Sequence, residues 1–244
     1  MITGLDHVAV AVRDFDAAVD GYRRLFAREP ELSGRRAAFR FPNADLQVTP
    51  GEDEGLSALA FRVEDLAEAT RLLARRGLDV TPGDGETVVR AAGLTFRLGE
   101  AAGSPPSPAT AEGPVDALDH VVVHTANPDR ALAVFGAKLG LDLRLDRENA
   151  QWGARQLFFR CGGAVVEVGA SLKAPVSDAP DRFGGLAWRV GDPAAARARM
   201  AAAGFDVSEL RTGRKPGTQV FTVRDAPGGV PTLMLQPSPQ AGVG

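Results

Sequence analysis

Along Leu5-Asp6-His7-Val8-Ala9-Val10-Ala11-Val12 the side chains alternate, so that Val8, Val10 and Val12 fall on one face of a strand and His7, Ala9 and Ala11 on the other. The period then changes. Behind Asp14, a residue suited to cap a helix, Phe15, Ala18, Val19, Tyr22, Leu25 and Phe26 recur at helical spacing, which predicts a helix laying one apolar stripe on a sheet. The same switch occurs three more times. Leu59, Phe61 and Val63 alternate with Ala58, Ala60 and Arg62, and the helix that follows opens at Asp65 with Glu68 three residues on, runs through Leu66, Ala69, Leu72 and Leu73, and stops at Gly77. Leu118-Asp119-His120-Val121-Val122-Val123-His124 leads into Asn127-Pro128, a stripe of Leu132, Phe135 and Leu139, and a closing Gly140. Leu186, Trp188 and Val190, set against Gly185, Ala187 and Arg189, lead into Asp192-Pro193 and a stop at Gly204. Strand-like runs such as 36–41 and 46–49, or 156–161 and 164–168, follow the helices and are broken by Gly, Asn or Pro.

Four strand–helix–strand–strand–strand units thus account for nearly all of the 244 residues, and the repetition of Leu-Asp-His-Val puts two of the three histidines at one place in the unit. Segment 100–116 is rich in Pro, Ala, Gly and Ser and reads as a linker between a domain at 1–99 and a second at 117–237. A net charge of -3 without a basic face argues against nucleic acid as a partner. No apolar run approaches the roughly 20 residues of a membrane span, and no secretory signal opens the chain. With one cysteine, Cys161, placed beside Phe158 and Phe159 in a strand, the expectation is a cytoplasmic protein, monomer or homodimer, whose thiol is buried packing.

The Asp-His-Val openings, the capped helices after them, and endings such as Gly163-Ala-Val-Val-Glu167-Val make the chain resemble the vicinal oxygen chelate superfamily over all four units. This family includes glyoxalase I, extradiol dioxygenases, hydroxyphenylpyruvate dioxygenase and the bleomycin and fosfomycin resistance proteins. The resemblance implies an α+β fold in which βαβββ units pair into two cup-shaped mixed sheets, helices outside, with a small molecule bound in the cup. It does not fix a reaction, because one fold hosts many chemistries and some pure binding proteins. Units paired in sequence order would give a first cup holding His7, Gln47, Arg62 and Arg97. The second would hold His120, His124, Glu167, Arg189, Met234 and Gln236.

Metal enzymes of the superfamily take ligands from the first and last strands of their units, and His120 with Glu167 match that pattern. Imidazole and carboxylate suit iron, manganese, zinc or nickel. The partner units hold Ala58 and Gly185 at the histidine position and Arg97 and Met234 in the last-strand slot, so Gln236 is the candidate for a third ligand. His124 shares a face with His120, but four strand residues separate them by about 13 Å, too far for one metal. It is instead the candidate base or hydrogen-bonding group, with Arg189, Met234, His7, Arg62 and Arg97 as candidate substrate contacts. Two arginines near His7 favour an anionic or carbonyl-bearing ligand there over a cation. Two functions remain open: a divalent-metal lyase, isomerase or dioxygenase acting on adjacent oxygens, and a metal-free binding or sequestering protein of the bleomycin-resistance type. In the metal-free case Glu167 would find a charged partner such as Arg189. The loop 211–218 concentrates Arg211, Arg214 and Lys215, which reads as a solvated turn or, alternatively, as a clamp for a carboxylate at a cup mouth.

Overall fold

A computed structural model of the protein describes residues 1–100, 114–213 and 217–237. Most of the expected linker and the charged tip Arg214-Lys215 lie outside them. The first repeat comprises β1 (Ile2–Val12), α1 (Phe15–Phe26), β2 (Glu31–Ser33), β3 (Arg36–Phe39) and β4 (Asp45–Pro50). The second comprises β5 (Gly55–Val63), α2 (Leu66–Arg75), β6 (Asp79–Pro82), β7 (Thr87–Ala91) and β8 (Leu94–Glu100). The third runs β9 (Ala117–Thr125), α3 (Pro128–Ala131), β10 (Asp142–Asn149), β11 (Ala154–Cys161) and β12 (Ala164–Ser171). The fourth runs β13 (Arg182–Arg189), α4 (Pro193–Ala202), β14 (Arg211–Thr212), β15 (Gln219–Val223) and β16 (Thr232–Gln236).

The strands form two eight-stranded mixed sheets, β2-β3-β4-β1-β5-β8-β7-β6 and β10-β11-β12-β9-β13-β16-β15-β14, each with the first strands of two repeats at its centre. This is the α+β architecture the repeats predict. The caps are those of the sequence: the side chains of Asp14, Asp65, Asn127 and Asp192 accept from the backbone N–H groups of Ala17, Glu68, Arg130 and Ala195, each worth about 1 kcal/mol. No helix among the described residues is long and apolar enough to cross a membrane.

By contact, residues 1–9, 57–100 and 120–184 form one compact unit, and 10–56, 114–119, 185–213 and 217–237 the other. Helix-side packing therefore joins the second repeat to the third and the first to the fourth. In the former, Phe61, Phe96, Phe135 and Phe159 make a run of ring contacts at 5.8, 5.7 and 5.5 Å. In the latter, Phe26 and Phe41 meet Trp188 at 4.8 and 4.6 Å. Phe159 and Trp188 are thus core, Trp188 on the apolar strand face that the sequence predicts for it.

The third helix departs from the simple pattern, because after one α-turn it widens into a π-helix at Leu132–Lys138. Gly136, a weak helix former, sits there against the ring of Phe159, where a Cβ would lie 3.6 Å from Cε1. Opposite each helix-covered face is an open face, where His7, His120 and Glu167 are half-buried.

Candidate functional site

Parallel pairing of β12 with β9 sets Val165 beside His120, Glu167 beside Val122 and Gly169 beside His124. Antiparallel pairing of β11 sets Phe158 beside Glu167 and Gln156 beside Gly169, and β10 adds Leu145 beside Phe158 and Arg147 beside Gln156. Residues in register share a face, so all of these lie on the open face. On the other side Val121, Val123, Leu157, Phe159, Val166 and Val168 are fully buried.

His120 and Glu167 converge: Nε2 lies 3.5 Å from Oε2, with the two side chains 17% and 15% exposed. Glu167 Oε1 accepts from Gln156 Nε2 at 2.6 Å. Gln156 is itself buried, and its Oε1 accepts from Arg147 Nη2 and Nε at 3.0 and 3.3 Å. Since the amide oxygen faces the guanidinium, the amide N–H must face the carboxylate. Arg147 also lies 5.7 and 5.5 Å from the ring centroids of Trp152 and Phe158, a cation–π geometry. The sequence reading passed over Gln156 and Arg147. The alternation of Gln156 and Phe158 against Leu157 and Phe159 was the signal available, since it puts a polar residue on the Glu167 face.

At the end of β9, the ring of His124 lies against Gly184, where a Cβ would sit 2.5 Å from Nε2 and 2.7 Å from Cδ2. Partial enclosure, then the charge of Arg182, hold the imidazole below its ordinary pKa, against a smaller opposing pull from Glu167. The folded state therefore binds that proton less tightly than the unfolded chain. This group leaves stability untouched above the unfolded value near 6.5 and lowers it as pH falls below. In Gly184→Ala the methyl group must push the ring outward. NMR titration of His124 should then move back up toward about 6.5; an unmoved midpoint would show that the ring is not held by this contact.

Other expected contacts resolve differently. Arg189 donates to Asp119 at 2.8 Å, so its carboxylate partner is the neighbour of His120 and not Glu167. The equivalent Arg62 lies 3.6 Å from Asp6, and Asp6 Oδ2 is 2.7 Å from His7 Nδ1. Arg97 pairs with Glu86 at 2.7 Å. The anionic ligand expected near His7 thus loses its electrostatic support, because both arginines already face carboxylates. Met234 requires a correction. It pairs in register with Trp188 and is fully buried, while Leu233 pairs with Ala187. Leu233, not Met234, is therefore the counterpart of Glu167, and a one-residue slip in a period-two strand reverses every face. Gln236 shares the parity of Met234 and donates from Nε2 to the Gly191 carbonyl at 2.7 Å. On the open face Ala187, Val220, Leu233 and Leu235 form an apolar cluster. Cys161 is buried, and burial pushes its thiol up to about 12, which removes it as a nucleophile.

These positions decide how well the site suits a metal. His120 and Glu167 supply two donors. The fourth-repeat counterpart of His120 is Gly185, at φ 151° with a Cβ position 2.4 Å from the Pro231 carbonyl oxygen, so this backbone admits no side chain there. Among the described residues no group of three or more His, Cys, Asp or Glu could hold a metal ion. The protein donors fall short of a facial triad.

Residues 119–222 match the family described as Glyoxalase/Bleomycin resistance protein/Dioxygenase superfamily. No curated protein matches the chain. Among solved structures, a variant of 4-hydroxymandelate synthase from Streptomyces coelicolor is similar at 15% identity and TM-score 0.75, over 100% of this chain and 95% of that one. A 2,2',3-trihydroxybiphenyl 1,2-dioxygenase from Sphingomonas wittichii is similar at 17% and 0.73, over 97% and 91%. A Mn(II)-bound glyoxalase from Novosphingobium aromaticivorans is similar at 18% and 0.72, over 96% and 82%. The chain as a whole has the vicinal oxygen chelate fold.

Proposed function

We propose that the protein binds a small oxygenated aromatic molecule on the open face of the third repeat without needing a resident metal. One observation carries this reading: Glu167 is fixed by Gln156 through one oxygen and faces His120 with the other. The carboxylate accepts from a ligand hydroxyl, and His120 accepts or donates according to its tautomer, so the pair suits two adjacent oxygens. Hydrogen bonds to a charged group contribute about 1.5–3 kcal/mol each. Phe158, Val122 and Leu145 offer the apolar surface for a ring. The compartment that fits a lone buried cysteine is the cytoplasm.

The convergence of His120 Nε2 and Glu167 Oε2 also favours a second reading, in which these two ligands hold a divalent ion whose other positions fall to substrate and water, giving a lyase, isomerase or dioxygenase. Calorimetry separates the two, using catechol as the smallest aromatic probe with adjacent hydroxyls. Metal-stripped protein is expected to bind catechol, and His120→Ala and Glu167→Ala each to weaken it about tenfold or more. Stoichiometric Mn(II) lost in both variants, with catechol binding only after the metal is added, would replace the receptor by the enzyme.

A further inference from the structure

Gly169 stands in β12 between two polar neighbours, with Gln156 in register on one side and His124 on the other. Strand spacing puts those neighbours about 10 Å apart across the glycine. Among the described residues a Cβ built at Gly169 would meet nothing within 4 Å, and its φ lies outside the left-handed region. The contrast with Gly184 and Gly185 is direct, since there a Cβ would collide with His124 and with the Pro231 carbonyl. At Gly169 neither backbone conformation nor packing calls for glycine, and glycine weakens a strand interior. What the missing side chain leaves is open space on that face, a notch with Gln156 and His124 at the register positions of the flanking strands and Glu167 two residues along β12.

The charges around the notch are unequal. Arg147 donates to Gln156, and Arg182 opens β13 two residues before Gly184, on the same strand face, where the His124 ring lies. Glu167 is the one acidic group among these neighbours, and its oxygens are turned to Gln156 and His120. We infer that the notch over Gly169 is a subsite for a carboxylate, so that the molecule bound at His120 and Glu167 is an aromatic acid carrying hydroxyl groups at its far end. This rests on the binding reading above and adds the ligand class to it.

The test compares 3,4-dihydroxybenzoate with catechol by calorimetry near pH 7.5. Wild type is expected to prefer the acid by about tenfold or more. Gly169→Leu, whose Cβ would have open space around it, puts a side chain into the notch and should abolish that preference while leaving catechol affinity and the urea midpoint within error. Arg182→Gln should reduce the preference, and added salt should do the same. Equal affinity of wild type for both probes, or a preference that survives Gly169→Leu, overturns the subsite. Failure of wild type to bind either probe overturns instead the binding function on which it rests.

Discussion

Asp181→Ala is expected to cost about 3–5 kcal/mol of stability, the usual effect of removing one partner of a buried ion pair. The Asp181 side chain is 0% exposed, and its Oδ1 accepts from Arg130 Nη2 at 2.6 Å. The same guanidinium nitrogen donates to the Ala179 carbonyl at 2.6 Å, while Asp181 N–H donates to the Ala92 carbonyl at 2.6 Å. Among the described residues, Asp181 Oδ2 and Arg130 Nε have no hydrogen-bond partner. The pair already carries unmet polar demand, and losing the carboxylate would leave an uncompensated cation beneath the segment that enters β13. Arg130→Met combined with Asp181→Ala removes both charges and should recover much of the loss. Urea unfolding of the four proteins gives the cycle. A single-variant cost below about 1 kcal/mol would mean that water reaches the pair and that it behaves as a surface bridge. The site should feel the change too, because Arg182 and Gly184, which bear on His124, follow directly in sequence.

The distance between what alternation reveals and what it hides is clearest on the two halves of the second sheet. His120 and Glu167 were legible as a same-face pair because β9 and β12 are regular and their buried valines mark the opposite face without ambiguity. The helix starts were legible because an Asp or Asn ahead of an apolar stripe has one local job. Met234 was not, since β16 follows the turn at Pro227–Gly229, and both Thr232 and Met234 and their neighbour Leu235 are apolar or small enough to hide the parity. Gly185 was read as a slot lacking a ligand. Its φ of 151° shows that the backbone bends there and that the slot itself is altered. The π-helical stretch escaped because a widened turn leaves no mark on a stripe of Leu132, Phe135 and Leu139. Gln156 and Arg147 reach the Glu167 carboxylate through strand register, a quantity that residue types alone do not fix.

Trp188→Ala is expected to destabilise by about 3–5 kcal/mol, as large-to-small changes of buried aromatics do. The indole is fully buried, with ring centroids 4.8 Å from Phe26 and 4.6 Å from Phe41, and those two rings meet each other edge-on at 5.0 Å. Its strand partner Met234 is also fully buried, so the cavity left by truncation would be walled by side chains with no solvent to fill it. Such a loss is a large share of the 5–15 kcal/mol that holds a typical domain, and for a chain of this size it should lower Tm by about 6–20 °C. Trp188→Phe keeps most of the apolar volume and should lose clearly less. The comparison also bears on function, because Trp188 would be a candidate stacking surface for an aromatic ligand if it faced the open side. Placed on the helix side, it should affect binding of catechol only through unfolding, so Trp188→Phe should bind that probe as wild type does. A selective loss of binding in a stable Trp188→Phe protein would put the indole in the site and reverse the face assigned to β13.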